Sequence, residues 1–398
     1  MILRNCRVIP ELCEGFHEER VDIRIGGKLI SDILPAGGKY TGEETIDCSG
    51  KTVLPGLFNL HTHLMFNYDN ITRDPSPEMC MLVAIRHMNT LLSYGYTSIR
   101  DCGSPYGVIF KLRDEINKGN IIGPDIKASG CILSPEQAYT PEHLKTFTTA
   151  GDGSPVSGPY SARAIARREI ARGADFLKVL NGCATGIYSK RGTNSLFFKD
   201  ELDEIKKVAD AENTYVAMHC ISEESNMDAI ELGVRTIEHA FFLTRSNVDR
   251  LEHYGNRTCI VPTLAVYYTA AGEGAAMESS RGIRMAYDAG TLLGWGTDIR
   301  EDRLSFGLEV EFVARQKCWG LTPMELLKQA TINSAIINGT DSLRGSIKVG
   351  KRADFAIVEG EPDKDLSLFS KPCSMVFKDG ALISKEGMIQ RTEQAQSL

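Results

Sequence analysis

From residue 55 onward the chain repeats one pattern: a short apolar run, a turn, an amphipathic helix, then the next apolar run. The runs fall at 53–60, 97–100, 126–129, 176–180, 215–218, 236–238, 258–262 and 292–296, with helical periodicity between them, as at 161–172, 200–211 and 222–232. A late helix is announced by Thr322 as N-cap, Pro323 at the first position and Glu325 three residues on, a capping box. Eight strands alternating with helices predict an α/β chain built as an expanded (β/α)8 TIM-like barrel. The rival, a doubly wound open sheet, lacks the GxGxxG that would follow its first strand.

The two ends differ from this middle. Residues 2–9, 21–25, 28–30 and 44–48 alternate apolar with polar and turn at Gly26-Gly27 and Ser49-Gly50, which predicts a half-exposed antiparallel sheet. The same texture returns at 346–350, 353–358, 374–380 and 382–383. Neither end can bury a core alone, so the expectation is one small β-sandwich formed by 1–54 and 346–398, with a catalytic barrel over 55–345 inserted between them.

A chain of 398 residues with 42% hydrophobic and 24% charged residues has ample material for such a core. Its formal charge of -7, with no basic stripe, argues against nucleic acid as a partner. No apolar run approaches the ~20 residues of a membrane span, and the start lacks a signal-peptide pattern. Eleven cysteines, an odd number scattered without CxxC pairs, read as small hydrophobes in a reducing cytoplasm rather than as a disulfide framework.

Chemistry enters where the first barrel strand ends in His61-Thr62-His63. In extended chain residues i and i+2 share a face, so both imidazoles point the same way and can grip one cation. His219 ends the fifth apolar run, His239 the sixth and Asp298 the eighth, and barrel sites are built at strand C-terminal ends. Each has an ordinary alternative: a core histidine for His239, a helix cap for Asp298. Lys178 sits inside the apolar fourth run, where burial lowers its pKa; the ordinary reading is a snorkelling or salt-bridged lysine, the functional one a neutral amine. Such an amine can capture carbon dioxide as a carbamate, whose two anionic oxygens bridge cations as a carboxylate would.

The order His61-x-His63, Lys178, His219, His239, Asp298 resembles the binuclear subtype of the amidohydrolase superfamily, over essentially the whole chain. The segment Gly345 to Asp354 is similar to its β-sandwich. The stretches at 99–101, 184–186, 236–239, 261–264 and 296–298 resemble the Xaa-Pro dipeptidase and imidazolonepropionase-related branch. The resemblance implies two divalent cations, zinc by the donor set, with His61, His63 and Asp298 on one and His219 and His239 on the other. Carbamylated Lys178 and a hydroxide would bridge them, and Asp298 would act as general base and then general acid. It implies cleavage of an amide or peptide C–N bond in a dipeptide or N-acyl amino acid, and self-association into a homo-oligomer.

One departure concerns the substrate. Peptidases of this branch resemble Thr-Gly-Gly-His after the third strand, whereas this chain has Ser134-Pro135-Glu136-Gln137-Ala138-Tyr139, with Tyr139 near the place of that His and His143 read as a surface residue. Tyr139, Arg191 and Arg300 are the candidates for holding substrate, the arginines for a carboxylate. An organophosphate, ester or lactone hydrolase shares the whole ligand set. A cyclic-amide hydrolase or a deaminase works with one metal and leaves Lys178 unexplained; a deaminase also needs Glu where Ser222 stands. A non-catalytic scaffold predicts missing ligands, and all six are present.

Overall fold

The structure, a computed structural model, describes residues 1–66, 76–135, 138, 155–182, 194–301, 304 and 307–390. Seven parallel strands form the barrel wall: β6 (Leu57–Thr62), β7 (Tyr96–Asp101) and β8 (Asp125–Ala128) in one sheet, and β9 (Leu177–Leu180), β10 (Val216–Cys220), β11 (Thr236–His239) and β12 (Cys259–Val261) in another. Backbone bonds carry the ring across the gaps. Leu133 N–H donates to Lys178 O at 2.8 Å and Leu180 N–H to Leu133 O at 2.9 Å, joining the segment after β8 to β9. Gly294 N–H donates to Ile260 O at 2.8 Å, and Leu60 N–H to Trp295 O at 2.7 Å, so residues 292–296 fill the place of the eighth strand between β12 and β6. The architecture is the expected TIM-like (β/α)8 barrel with an additional β domain.

That eighth segment explains its own Gly-Trp-Gly sequence. A Cβ on Gly296 would lie 2.8 Å from the Cβ of His61 and 2.7 Å from Val261, closer than side chains pack, so only glycine lets this segment approach β6. Asn59 secures the same seam, its amide donating to Thr297 Oγ1 at 2.8 Å while its carbonyl accepts from Thr297 N–H at 3.1 Å. Helices wrap the outside with the caps their sequences announce. Ser76 accepts from Met79 N–H ahead of helix Pro77–Ser93, and Thr322 and Glu325 form the expected reciprocal pair at helix Pro323–Lys328.

Strands from the two chain ends share one nine-stranded sheet: β1 (Ile2–Arg7), β2 (Arg20–Gly26), β3 (Leu29–Pro35), β4 (Thr45–Asp47), β5 (Lys51–Pro55), β13 (Phe355–Glu359), β14 (Met375–Lys378), β15 (Ala381–Lys385) and β16 (Met388–Ile389). Its join is antiparallel, β5 against β13 from Lys51↔Glu359 to Pro55↔Phe355. Two features differ from the half-exposed antiparallel sheet that alternation predicts. β1 runs parallel to both β4 and β5. The central strands are also buried on both faces: Val53, Phe355, Ile357, Met375 and Phe377 pack into the small domain's own core, while Leu54, Ala356, Val358 and Val376 pack against the barrel. Alternation distinguishes the two faces but cannot say that each meets a different core.

No disulfide joins any of the ten described cysteines to another, and among the described residues no helix is long and apolar enough to cross a membrane.

Gly95 is a point of close approach between sheet and barrel: its φ is +88°, and a Cβ there would sit 2.6 Å from the Cβ of Ala356 and 3.1 Å from Cys373 Sγ. Gly95→Ala is therefore expected to destabilise by about 2–4 kcal/mol, the left-handed backbone and the overpacking together. Gly119→Ala, at φ +82° with open space around it, should lose only about 1 kcal/mol. Denaturant unfolding of the two variants checks the difference.

Candidate functional site

Strand alternation decides what lines the barrel interior. Arg100 on β7 and Cys102 just past it, Phe176 and Lys178 at β9, Ala217 and His219 on β10, and Thr236 and Glu238 on β11 are alternate residues that share the inward face. The lower layer is filled by Arg100, Phe176, Tyr215, Thr236 and Glu238. Phe176 stacks on Tyr215 with ring centroids 5.3 Å apart, and the Arg100 guanidinium lies 5.1 Å from the centre of the Phe176 ring. Above this layer, at the strand C-terminal ends, the six residues singled out by the sequence come together.

Lys178 Nζ lies 3.3 Å from His61 Nε2, and the Asp298 carboxylate is 3.5 Å from His63 Nε2 and 3.9 Å from His61 Nε2. The rings of His61 and His63 are 5.4 Å apart, those of His61 and His239 4.6 Å, and those of His219 and His239 4.5 Å. His61, His239 and Asp298 present ligand atoms all within 4.8 Å of one another. Simple alternation would turn His239 away from the face that carries Glu238. It faces the centre because its φ is +68°, and Asp298 likewise takes φ +52°. Left-handed backbone at two non-glycine residues in one site is strain held by the surrounding structure.

The donor set fits divalent cations on two grounds. The first is tautomer. His61 Nδ1 is 2.6 Å from Glu238 Oε2, His63 Nδ1 3.0 Å from Gly103 O, and His239 Nδ1 2.6 Å from Thr263 Oγ1. A proton on each Nδ1 satisfies these acceptors and leaves each Nε2 lone pair facing inward, a tautomer assigned from the bonding pattern. His219 Nε2 is buried and has no hydrogen-bond partner among the described residues. A buried nitrogen without a partner costs free energy that a ligated cation would recover.

The second ground is charge. Burial, reinforced by the positive charge of Lys178, lowers the His63 and His219 pKa values from 6.5 to about 3. Burial lowers those of His61 and His239 as well, followed by the Lys178 charge at His61 and the neighbouring histidines at His239. All four rings are therefore neutral at physiological pH, the form that binds a metal.

Several residues around the site were given no role from sequence. Asp101 is buried and pushed up to about 6 by desolvation; its oxygens accept from Leu64 N–H at 2.9 Å and Gly103 N–H at 3.2 Å, fixing both the backbone after His63 and the carbonyl His63 binds. Glu238 and Arg100 stand behind His61, and Thr263 behind His239. The available signal was the presence of Arg100, Asp101 and Glu238 inside apolar strands, where unpaired charge is costly. Arg300, two residues beyond Asp298, is near enough for its charge to act on His63. Tyr139, His143 and Arg191 lie outside the described residues, as does the 184–186 stretch. Ser222, where a deaminase would carry its Glu, caps helix Glu223–Leu232 by accepting from Ser225 N–H, and Glu223 accepts from Thr244 Oγ1 at 3.0 Å.

The lowered histidine pKa values set a pH dependence in the metal-free protein. Below 6.5 an unfolded histidine takes a proton that the buried ring refuses, so stability present above 6.5 is lost as pH falls toward about 3. Between about pH 7.5 and about pH 5, His63 and His219 should each remove about 2 kcal/mol. Denaturant unfolding of chelator-treated protein at the two pH values measures it.

Comparison with known proteins agrees with this geometry. The sequence profile of the Amidohydrolase family matches residues 52–383. Ochratoxinase from Aspergillus niger is 26% identical over 377 residues, covering 84% of this chain and 76% of its own. Imidazolonepropionase from Rubrobacter xylanophilus is 25% identical over 384 residues, covering 86% and 85%. The crystal structure of a Xaa-Pro dipeptidase with bound methionine in the active site superposes with a TM-score of 0.82 at 28% identity, over 96% of this chain and 98% of that one. A barrel with a β domain made from both chain ends, a histidine-rich centre at its strand C-termini, and a profile match across most of the sequence lead to one conclusion: this chain is an enzyme of the amidohydrolase family.

Proposed function

We propose that this enzyme hydrolyses an amide or peptide C–N bond in a dipeptide or N-acyl amino acid. The observation that carries the reading is the convergence of inward-facing, neutral imidazole nitrogens on Asp298 and Lys178. In support, similar proteins bear the names Xaa-Pro dipeptidase and ochratoxinase. His61, His63 and Asp298 would hold one divalent cation, zinc by the donor set, and His219 and His239 a second, with Lys178 as a further ligand once carbamylated. Cations bound there would supply Lewis acidity for the scissile carbonyl and for the attacking water.

The chain's own residues supply the rest. Lys178 Nζ, with carbon dioxide, becomes a carbamate and releases two protons, exchanging a positive charge beside the imidazoles for a negative one. That removes the repulsion which an ammonium 3.3 Å from His61 Nε2 would exert on a cation. The Asp298 carboxylate takes the proton of the attacking water and returns it to the leaving nitrogen, as base and then acid. Arg300, on the same loop, would pair with the substrate carboxylate, together with Arg191 and with Tyr139 as donor to the substrate carbonyl. Ser222 and Glu223 are engaged in capping and in a neighbouring turn, which disfavours the deaminase alternative.

Elemental analysis is expected to find two equivalents of metal, and turnover should appear on dipeptides or N-acyl amino acids. Turnover confined to lactones or organophosphates would overturn the substrate class. Asp298→Asn should keep its fold and lower kcat by about a hundred- to ten-thousand-fold on the best substrate; kcat close to that of the native enzyme would remove Asp298 from the proton transfer. Arg300→Met should raise KM more than it lowers kcat, as expected of a group that binds ground state and transition state alike.

A further inference from the structure

Three of the site's imidazoles are backed in chemically different ways. His63 leans on the carbonyl of Gly103 and His239 on the hydroxyl of Thr263, both neutral. His61 leans on a carboxylate, Glu238, at 2.6 Å, and both side chains are fully buried. The other oxygen of Glu238 accepts from Arg100 Nη2 at 2.5 Å and from Thr236 Oγ1 at 2.5 Å. Arg100 is equally enclosed: its Nε donates to Leu60 O at 2.7 Å and its Nη1 to Thr236 Oγ1 at 3.1 Å. By distance alone His61, Cys102 and Glu238 could hold an ion of their own. Arg100 already pairs with one oxygen of that carboxylate and His61 with the other, so Glu238 is committed on both sides.

We propose that Glu238, clamped by Arg100, is the positioning residue of the metal centre: it fixes His61 with its proton on Nδ1 and sets how tightly the ion at His61 Nε2 is retained. An anionic acceptor on Nδ1 makes the opposite nitrogen a stronger donor than a carbonyl or hydroxyl does. Arg100 holds the carboxylate against the ring and balances its charge, so the pair orients His61 without adding net charge to the barrel interior. The centre is therefore asymmetric by construction, with its best donor on the side of His61, His63 and Asp298. This inference rests on the two-cation reading above.

The test compares zinc retention in the full-length native enzyme and Glu238→Gln, dialysed against buffers of graded free zinc and assayed by elemental analysis, with circular dichroism to check folding. Glu238→Gln is expected to lose one equivalent at about 10- to 100-fold higher free zinc than the native enzyme, while the other equivalent is released as before. Cobalt-substituted protein should show the same selective loss in its absorption spectrum. A folded Glu238→Gln that keeps both ions at native affinity reduces Glu238 to a structural partner of Arg100 and overturns this inference alone. Native protein that holds no metal overturns the two-cation reading and this inference with it. Should Glu238→Gln fail to fold, histidine nitrogen-15 NMR of the native protein decides. A strongly deshielded Nδ1–H, absent in His61→Asn, supports the arrangement, and an unprotonated Nδ1 on His61 refutes it.

Discussion

The ion pair between Arg100 and Glu238 organises the barrel interior from which the site rises. Arg100 reaches from β7 to the backbone of β6 at Leu60 and across the lumen to Thr236 and Glu238 on β11. Both charges are removed from water, so the pair is a poor source of net stability; its effect is to admit one arrangement of these strands and penalise the others. An apolar plug of the same volume would fill the space. It would not define where the carboxylate behind His61 stands, and the imidazole above would lose its reference.

Placement of the upper layer follows from that floor and from local strain. His61 is held from below by Glu238, from the side by the seam at Gly296 and Asn59, and through its backbone by Asp298, whose N–H donates to His61 O at 2.9 Å. His239 and Asp298 both sit in left-handed backbone that non-glycine residues seldom adopt. The hydrogen bonds from Asp298 N–H to His61 and between His239 Nδ1 and Thr263 hold the two in place. Desolvation then keeps the four rings neutral. The same burial that would penalise a charged imidazole prepares an uncharged one to donate its lone pair.

The small β domain packs against the barrel as well as on itself. Its central strands β5, β13 and β14 send alternate residues into two different cores. The join between the chain ends, β5 on β13, lies immediately before the strand that carries His61 and leads into His63. The registration of the first barrel strand is thereby tied to both ends of the sequence.

Much of this was legible in one dimension because it depends on local periodicity. The spacing of short apolar runs and amphipathic helices determined the barrel, since each element must bury a stripe set by its own repeat. The period of two placed His61 and His63 on one face, and a lysine inside an apolar strand marked Lys178 as unusual. Other features are set by contacts between residues far apart in sequence, and no local pattern encodes them. The pairing of Arg100 with Glu238, the parallel β1–β4 and β1–β5 ladders, and the division of one sheet between two cores are of this kind. His239 shows the limit most clearly. Alternation alone would turn it away from Glu238, and only the left-handed backbone imposed by the folded chain turns it back toward His61, His219 and Asp298.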